Sequence, residues 1–478
     1  MLAQSLTFDA LQRTLPERVT THMPQRGTIV VLPSLSFPAS ELVKITAIER
    51  YEERLLYLLL HLDQPDARIV YVTSLPIDPA VVNYYLGFLP DPEAARERLA
   101  LVSLGSFSGR GLANDLADDP AALQRIRAAV GDAVHQAVIL PFNVTDAERR
   151  IAVELEIPLF AVHPDLVALG SKTGSRRVAR AAGVPVLPGV EDLRSTTQIS
   201  HAVDRLRIDH PGISAVVIKL NNGFSGQGNA MVTWDGAAAD LAHRDTVFCG
   251  EGETWTSFAG KIAAEGAIVE QLLPARAASP SAQAWISPTG DVQVVSTHDQ
   301  VLGGPGGQVY LGCRFPAAED YRTQIISYTA AVGRHLADAG VVGPFAVDFS
   351  AIDGGHPQIY LSEINLRIGG TTHPFGMAKL VTGARSDAQT GLHTVDGQRV
   401  YVASDNLKDP ALTRLNPNEV VASIADAGLA FDRQTRVGVT LHLLGAVRQY
   451  GKLGALCIAR TPDEAEHMLV EVGRALRL

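Results

Sequence analysis

Asp348 lies in the run Val347-Asp348-Phe349, and Glu363 and Asn365 follow in Tyr360-Leu361-Ser362-Glu363-Ile364-Asn365-Leu366-Arg367. Along a strand, residues i and i+2 share a face, so Glu363 and Asn365 point the same way. If the strand carrying Asp348 pairs with theirs, two carboxylates and an amide oxygen converge on one spot. Hard oxygen donors of this kind suit Mg²⁺, which keeps several waters and borrows phosphate oxygens from a substrate. Arg367 lies on the same side, able to face developing negative charge. An edge strand with solvated polar residues would show the same alternation.

Two further elements could hold an anion. Val216-Val217-Ile218-Lys219-Leu220 is an apolar strand ending near a lysine, and it runs into Asn221-Asn222-Gly223-Phe224-Ser225-Gly226-Gln227-Gly228. Glycines let backbone N–H groups approach phosphate oxygens, and Lys219 adds a point charge. A plain β-hairpin is the alternative. Gly170-Ser171-Lys172-Thr173-Gly174-Ser175-Arg176-Arg177 puts basic residues at the start of a helix, either an anion site or a solvated basic face. Two of the chain's seven lysines thus fall in these loops. A Walker A loop, a dinucleotide fingerprint, a Gly-x-Ser-x-Gly elbow, a His-Glu-x-x-His helix and a Cys-x-x-Cys pair are all missing from the sequence.

The elements that must position these residues fall into three stretches. In the first, Thr28–Pro33, Arg68–Thr73, Leu99–Leu104, Ala137–Phe142 and Pro158–His163 read as buried strands. A helix is predicted over Glu41–Asp63, where Leu42, Ile45, Ile48, Leu55, Leu58, Leu59 and Leu62 recur near helical spacing. Alternating strands and helices predict a parallel α/β sheet, with a boundary near Asp165–Gly170. The second stretch opens with a helix at Thr173–Ala182. Strands follow at Ala215–Leu220, Ala230–Trp234, Ala267–Leu272, Val292–Thr297, Phe345–Ala351 and Gln358–Glu363, with a long helix over Asp320–Ala339. Few helices per strand predict an α+β unit on mostly antiparallel sheet. From about Thr394 a last unit carries a helix at Asn418–Ala427, a strand at Ala455–Ala459 and a helix at Pro462–Leu476.

The chain has 478 residues, 46% of them hydrophobic and 19% charged, with a mean hydropathy of +0.10. Such a chain can bury a large core, which excludes disordered and collagen-like classes. The formal net charge is −10, a poor basis for a nucleic-acid binder. The N-terminal residues show no basic region followed by an apolar stretch, and Leu55–Leu60 is far too short to span a bilayer. Three widely spaced cysteines (Cys249, Cys313, Cys457) fit reduced thiols, so a cytoplasmic protein without membrane or nucleic-acid partners is expected.

In this order and at these separations, the three elements resemble the ATP-grasp superfamily. That resemblance implies ATP held between two α+β subdomains, with Lys172 and Lys219 on its phosphates. It places Gly223, Ser225 and Gly226 in the lid, and Glu270, Gln271 and Leu272 of Val269-Glu270-Gln271-Leu272-Leu273 in the hinge strand beside adenine. It also implies Mg²⁺, or Mn²⁺ in its place, on Asp348, Glu363 and Asn365, with Arg367 as the catalytic arginine of the biotin-carboxylase type. The position two residues before the metal aspartate is Ala346, where ligases of the D-alanine–D-alanine type carry arginine.

The likeness continues through Ser296-Thr297-His298-Asp299-Gln300-Val301-Leu302-Gly303-Gly304, Tyr310-Leu311-Gly312-Cys313-Arg314-Phe315-Pro316 and Ile368-Gly369-Gly370-Thr371-Thr372-His373-Pro374. These runs are similar to the pheganomycin-type peptide ligases. That group implies a pre-ATP-grasp domain (1–165), an ATP-grasp core (166–393) and a small C-terminal α/β domain (394–478). It implies His298, Asp299, Arg314, Gly369, Gly370, Thr371 and His373 as substrate contacts, with His298 or His373 as base. The activity implied is ligation of a small-molecule carboxylate to an amino acid or peptide amine through an acyl phosphate, releasing ADP and phosphate. A homodimer is a family-level expectation. Two other readings remain open: a small-molecule kinase on the same fold, and a nucleotide-gated binding protein without turnover.

Overall fold

A computed structural model describes residues 7–20, 26–223, 226, 228–234, 246–273, 277–304, 307, 309–352 and 357–478. The first sheet contains β1 (Gly27–Leu32), β2 (Ala67–Thr73), β3 (Leu99–Ser103) and β4 (Val138–Pro141), all parallel in the order β3-β2-β1-β4. Its strands are apolar on both faces because both are covered. Ile29 and Val31 enter one core, while Val30 and Leu32 enter the other. The fifth strand expected at 158–163 makes only a bridge from Leu159 to Ile139. Pro158 has no N–H to give a ladder, and Pro164 starts a short 3₁₀ helix.

The helix expected over 41–63 is split. Ala39–Leu42 is helical, Ala47 turns through φ 65°, and Ile48–Asp63 winds as a tighter 3₁₀ helix. That stretch packs between β2 and the helix Thr372–Thr382, so apolar residues are needed on more than one face. Contact there is intimate, since a Cβ at Gly376 would lie 2.3 Å from the Tyr57 ring.

The second sheet holds β5 (Gly189–Leu193), β6 (Ala215–Leu220), β7 (Asn229–Thr233), β8 (Thr246–Phe248) and β9 (Ala267–Gln271), antiparallel in the order β5-β9-β6-β7-β8. Val216, Ile218, Leu220, Ala267 and Val269 pack beneath the helices Thr196–Asp209 and Trp255–Glu265. Alternation therefore turns Lys219 and Glu270 to the opposite face.

The third sheet is the largest: β10 (Pro280–Ile286), β11 (Val292–Gly303), β12 (Val309–Phe315), β13 (Gly343–Ile352), β14 (Gln358–Asn365), β15 (Arg385–Asp387), β16 (Gly391–Thr394), β17 (Gly397–Lys408), β18 (Gly438–His442) and β19 (Lys452–Ala459). Its main order is β14-β13-β10-β11-β12-β17-β16-β15, with β19 bridging β17 and β18. Phe345, Val347, Phe349 and Ala351 pack with Tyr321, Ile325, Val332 and Leu336 of the helix Glu319–Asp338, which turns Ala346 and Asp348 outward. The strands after residue 394 extend this sheet, because β17 pairs with β12. One apolar core runs from Leu55–Leu60 through Phe375 and Tyr401 to Leu441 and Leu453.

Candidate active site

The open faces of the second and third sheets meet at a cleft of about 370 Å³. Asp348 and Glu363 stand directly opposite each other in the β13–β14 ladder, and Asn365 opposes Ala346. The register slips between Asp348 and Phe349, so Ser362 and Glu363 together oppose one residue. That bulge turns Ser362 to the cleft beside Glu363, which plain alternation would have sent inward.

Lys172 and Lys219 each dock on one of these two residues. Lys172 Nζ donates to Glu363 Oε1 at 2.5 Å and to the Gly223 carbonyl at 3.3 Å. Lys219 Nζ donates to Ser362 Oγ at 3.2 Å and pairs with Glu270 Oε1 at 2.7 Å. Lys172 is the first residue of the helix Lys172–Ala181, whose N-cap Ser171 accepts from Gly174 N–H. The helix start is tied to the β6–β7 loop: Lys172 N–H donates to Asn221 O and Thr173 N–H to Asn221 Oδ1. A helix N-terminus favours anions. In the loop, Gly226 sits at φ 75°, and a Cβ on Gly228 would approach Gly223 Cα to 2.8 Å. Ser225 lies outside the described residues.

A polar chain runs along the cleft floor. Gln300 Nε2 donates to Asp348 Oδ1 at 2.6 Å, Asn365 Nδ2 to Asp348 Oδ2 at 2.9 Å, and Arg367 Nη2 to Asn365 Oδ1 at 2.7 Å. Burial, with Glu363 opposite, pushes the Asp348 carboxyl up to about 6. Burial works the same way on Glu363, but the Lys172 ammonium outweighs it and holds that carboxyl below its ordinary value. The donor chemistry fits a hard divalent cation: two carboxylates on paired strands and an amide beside them. Asn365 turns its oxygen to Arg367, which leaves that oxygen's second lone pair for a cation.

Other expected residues divide. Gly369, Gly370 and Thr371 line the cleft. Glu270 is 1% exposed and does not line it; its second oxygen takes Arg176 Nη1 at 2.7 Å, and Arg176 Nε donates to Glu191 at 2.6 Å. Glu270 is thus a brace that aims Lys219. Gln271 and Leu272, with N–H groups donated to Pro188 and Ala215, also stand outside the cleft lining.

The structure places four of the expected substrate contacts outside the cleft lining. His298 is fully buried among Phe315, Phe375 and Tyr401, with Nε2 2.7 Å from the Tyr401 hydroxyl. Burial pushes its imidazole down to about 3, so it is neutral and structural. His373 is buried against His442 with ring centroids 4.2 Å apart, and burial holds it well below the usual imidazole value. Neither histidine reaches the cleft to act as base. Asp299, which accepts from Tyr321 and Ala318, shares a separate depression with Arg314, which pairs with Glu466.

The residues that pattern reading missed are Ser281, Gln300 and Ser362 on the floor, and Lys44, Tyr51, Arg54, Asp405 and Lys452 at the far end. Lysine scarcity was the available signal: four of the seven lysines line this one cleft.

This arrangement, two lysines and a carboxylate pair between two antiparallel α+β sheets, defines a nucleotide-dependent enzyme of the ATP-grasp class. The model of the IQCH-like ATP-grasp family matches residues 164–235 and 238–389, and that of the PGM1 C-terminal domain matches 419–469. The chain is 32% identical over 458 residues to the L-propargylglycine–L-glutamate ligase of Streptantibioticus cattleyicolor, covering 93% of each chain. It is 22% identical to IQ motif-containing protein H of Danio rerio, over 72% of this chain and 38% of that one. Among solved structures, biotin carboxylase from Campylobacter jejuni superposes with a TM-score of 0.56 at 14% identity, covering 94% of this chain and 91% of that one. The N5-carboxyaminoimidazole ribonucleotide synthetase of Thermus thermophilus gives 0.53 at 16%, covering 94% and 98%. The chain belongs to the ATP-grasp carboxylate–amine ligases, in the family of the Streptantibioticus enzyme, and forms amide bonds at the expense of ATP. Among the described residues, no helix is long and apolar enough to cross a membrane.

Proposed function

We propose that the reaction runs through an acyl phosphate. A carboxylate oxygen of the acid attacks the γ-phosphorus of ATP, the β–γ bridging bond breaks, and ADP leaves. The amine nitrogen, having lost a proton, then attacks the acyl carbon, and the C–O bond to phosphate breaks. Lys172 and Lys219 hold the polyphosphate, with Gly223 and Gly226 beside it and Glu270 bracing Lys219 from behind. Mg²⁺, or Mn²⁺, held by Asp348, Glu363 and Asn365, would supply charge neutralisation during phosphoryl transfer. Arg367, with the Gly369–Gly370 backbone beside it, stabilises the oxyanion of the second step.

One observation carries this reading: Lys172 on Glu363, with Asp348 directly opposite, focuses cation and carboxylates on one point of the cleft. By this reading residues 1–165, 166–393 and 394–478 are the pre-ATP-grasp, catalytic and C-terminal units of a cytoplasmic enzyme. Both substrates are amino acids, as the name of the Streptantibioticus relative states for that enzyme.

The test incubates the chain with ATP, Mg²⁺, pooled L-amino acids and hydroxylamine as a surrogate amine. ADP together with a hydroxamate is the expected result. AMP, or a stable phosphorylated product without hydroxamate, would overturn the reading.

A further inference from the structure

The far end of the cleft is built from chain segments remote in sequence. Lys452, at the start of β19, is 5% exposed and lines the cavity. Its ammonium donates to the Tyr51 hydroxyl at 2.8 Å and lies 5.1 Å from that ring's centroid. Among the described residues no carboxylate pairs with it. Arg54, also 5% exposed, gives Nη2 to Asp405 Oδ2 at 2.6 Å. Asp405 Oδ1 meets His442 Nε2 at 2.8 Å. Burial would raise the Asp405 carboxyl, but Arg54 and His442 hold it far below the usual range, so it is an anion. The nearby Lys44 is already paired with Glu41 at 3.1 Å.

Two buried cations therefore face one carboxylate, which leaves one positive charge in excess. A buried ammonium without a counter-charge is costly unless a ligand supplies one. We infer that this end is a carboxylate pocket for an amino-acid substrate, with Lys452 taking the free carboxylate that the reaction does not consume. Tyr51 orients Lys452, while Asp405, held on one oxygen by Arg54 and on the other by His442, balances the Arg54 charge. The ligand atoms of Asp405, His373 and His442 lie within 4.8 Å of one another, the spacing of a metal site. Arg54 already occupies one Asp405 oxygen, and its charge opposes a cation there, so His442 serves as a brace on the other oxygen.

The inference rests on the ligase reading for its substrate class, and its test does not depend on turnover. Thermal unfolding of the full chain is followed with each of the twenty common L-amino acids and with each corresponding α-carboxamide. At least one free acid is expected to raise Tm at millimolar concentration, and its carboxamide to bind roughly tenfold or more weakly. Lys452→Met keeps the stem over Tyr51 and should lower affinity for the free acid to that of the carboxamide, while Lys452→Arg restores part of it. Equal shifts from acid and carboxamide in the unmodified chain, or no shift from any acid, would overturn the pocket. Hydroxamate formation without acid–carboxamide discrimination would sink the pocket and leave the ligase standing. Lys452-dependent binding without any ADP would do the reverse.

Discussion

The two ends of the cleft handle charge in opposite ways. At the nucleotide end every lysine already has a carboxylate: Lys172 sits on Glu363, and Lys219 shares Glu270 with Arg176. At the far end Lys452 meets the Tyr51 phenol and, among the described residues, no carboxylate. The Lys172–Lys219 end is held in shape before ligand arrives, with Lys172 anchored on Glu363 rather than free in solvent. Preorganised charge of this kind avoids reorganisation during reaction. The far end keeps a charge in excess, so it selects a ligand by supplying half of an ion pair.

Substitutions break this comparison in graded steps. Glu363→Gln removes a metal-site carboxylate and the anchor of Lys172 together. Turnover should fall about a thousandfold with thermal stability kept; near-normal rates in a steady-state assay would remove the metal assignment. Lys219→Ala leaves Arg176 to hold Glu270, so the chain should fold, while KM for ATP rises roughly tenfold or more. Arg176→Met acts on stability instead. It strips buried Glu270 of a guanidinium it shares with half-buried Glu191, and about 3 kcal/mol should be lost in chemical denaturation.

What was legible in the sequence follows from the same contrast. Glu363, Asn365 and Arg367 are set by alternation along one strand and its continuation, and Lys219 by the end of another, so period-two reasoning reached them. Lys172 needed only a helix start. Ser362 was hidden because a β-bulge reverses its face, and no spacing rule marks where a ladder slips. Arg54, Asp405 and Lys452 come together only when a 3₁₀ helix, β17 and β19 fold against one another. His298 failed in the other direction: a polar residue in a polar motif is walled off by three aromatic rings. The helix expected over 41–63 was found by its apolar residues but misjudged in form, because two neighbours bury it at once.

Smaller effects sharpen the boundary of the site. Ser362→Ala removes one hydroxyl from Lys219, which Glu270 still holds, so KM for ATP should change by no more than about fivefold. Arg314→Ala breaks a half-exposed pair with Glu466, and both kcat and Tm should stay close to those of the unmodified chain. A large rise in substrate KM for that variant would move the substrate site out of the cleft.

The central claim is that the acid is activated as an acyl phosphate between Lys172, Lys219 and the Asp348–Glu363 pair. Its most direct test labels the acid's carboxylate with ¹⁸O and measures the mass of the released phosphate after a single turnover. One ¹⁸O atom in inorganic phosphate, with ADP unlabelled, is the expected result. Unlabelled phosphate, or label carried into AMP, would contradict the account.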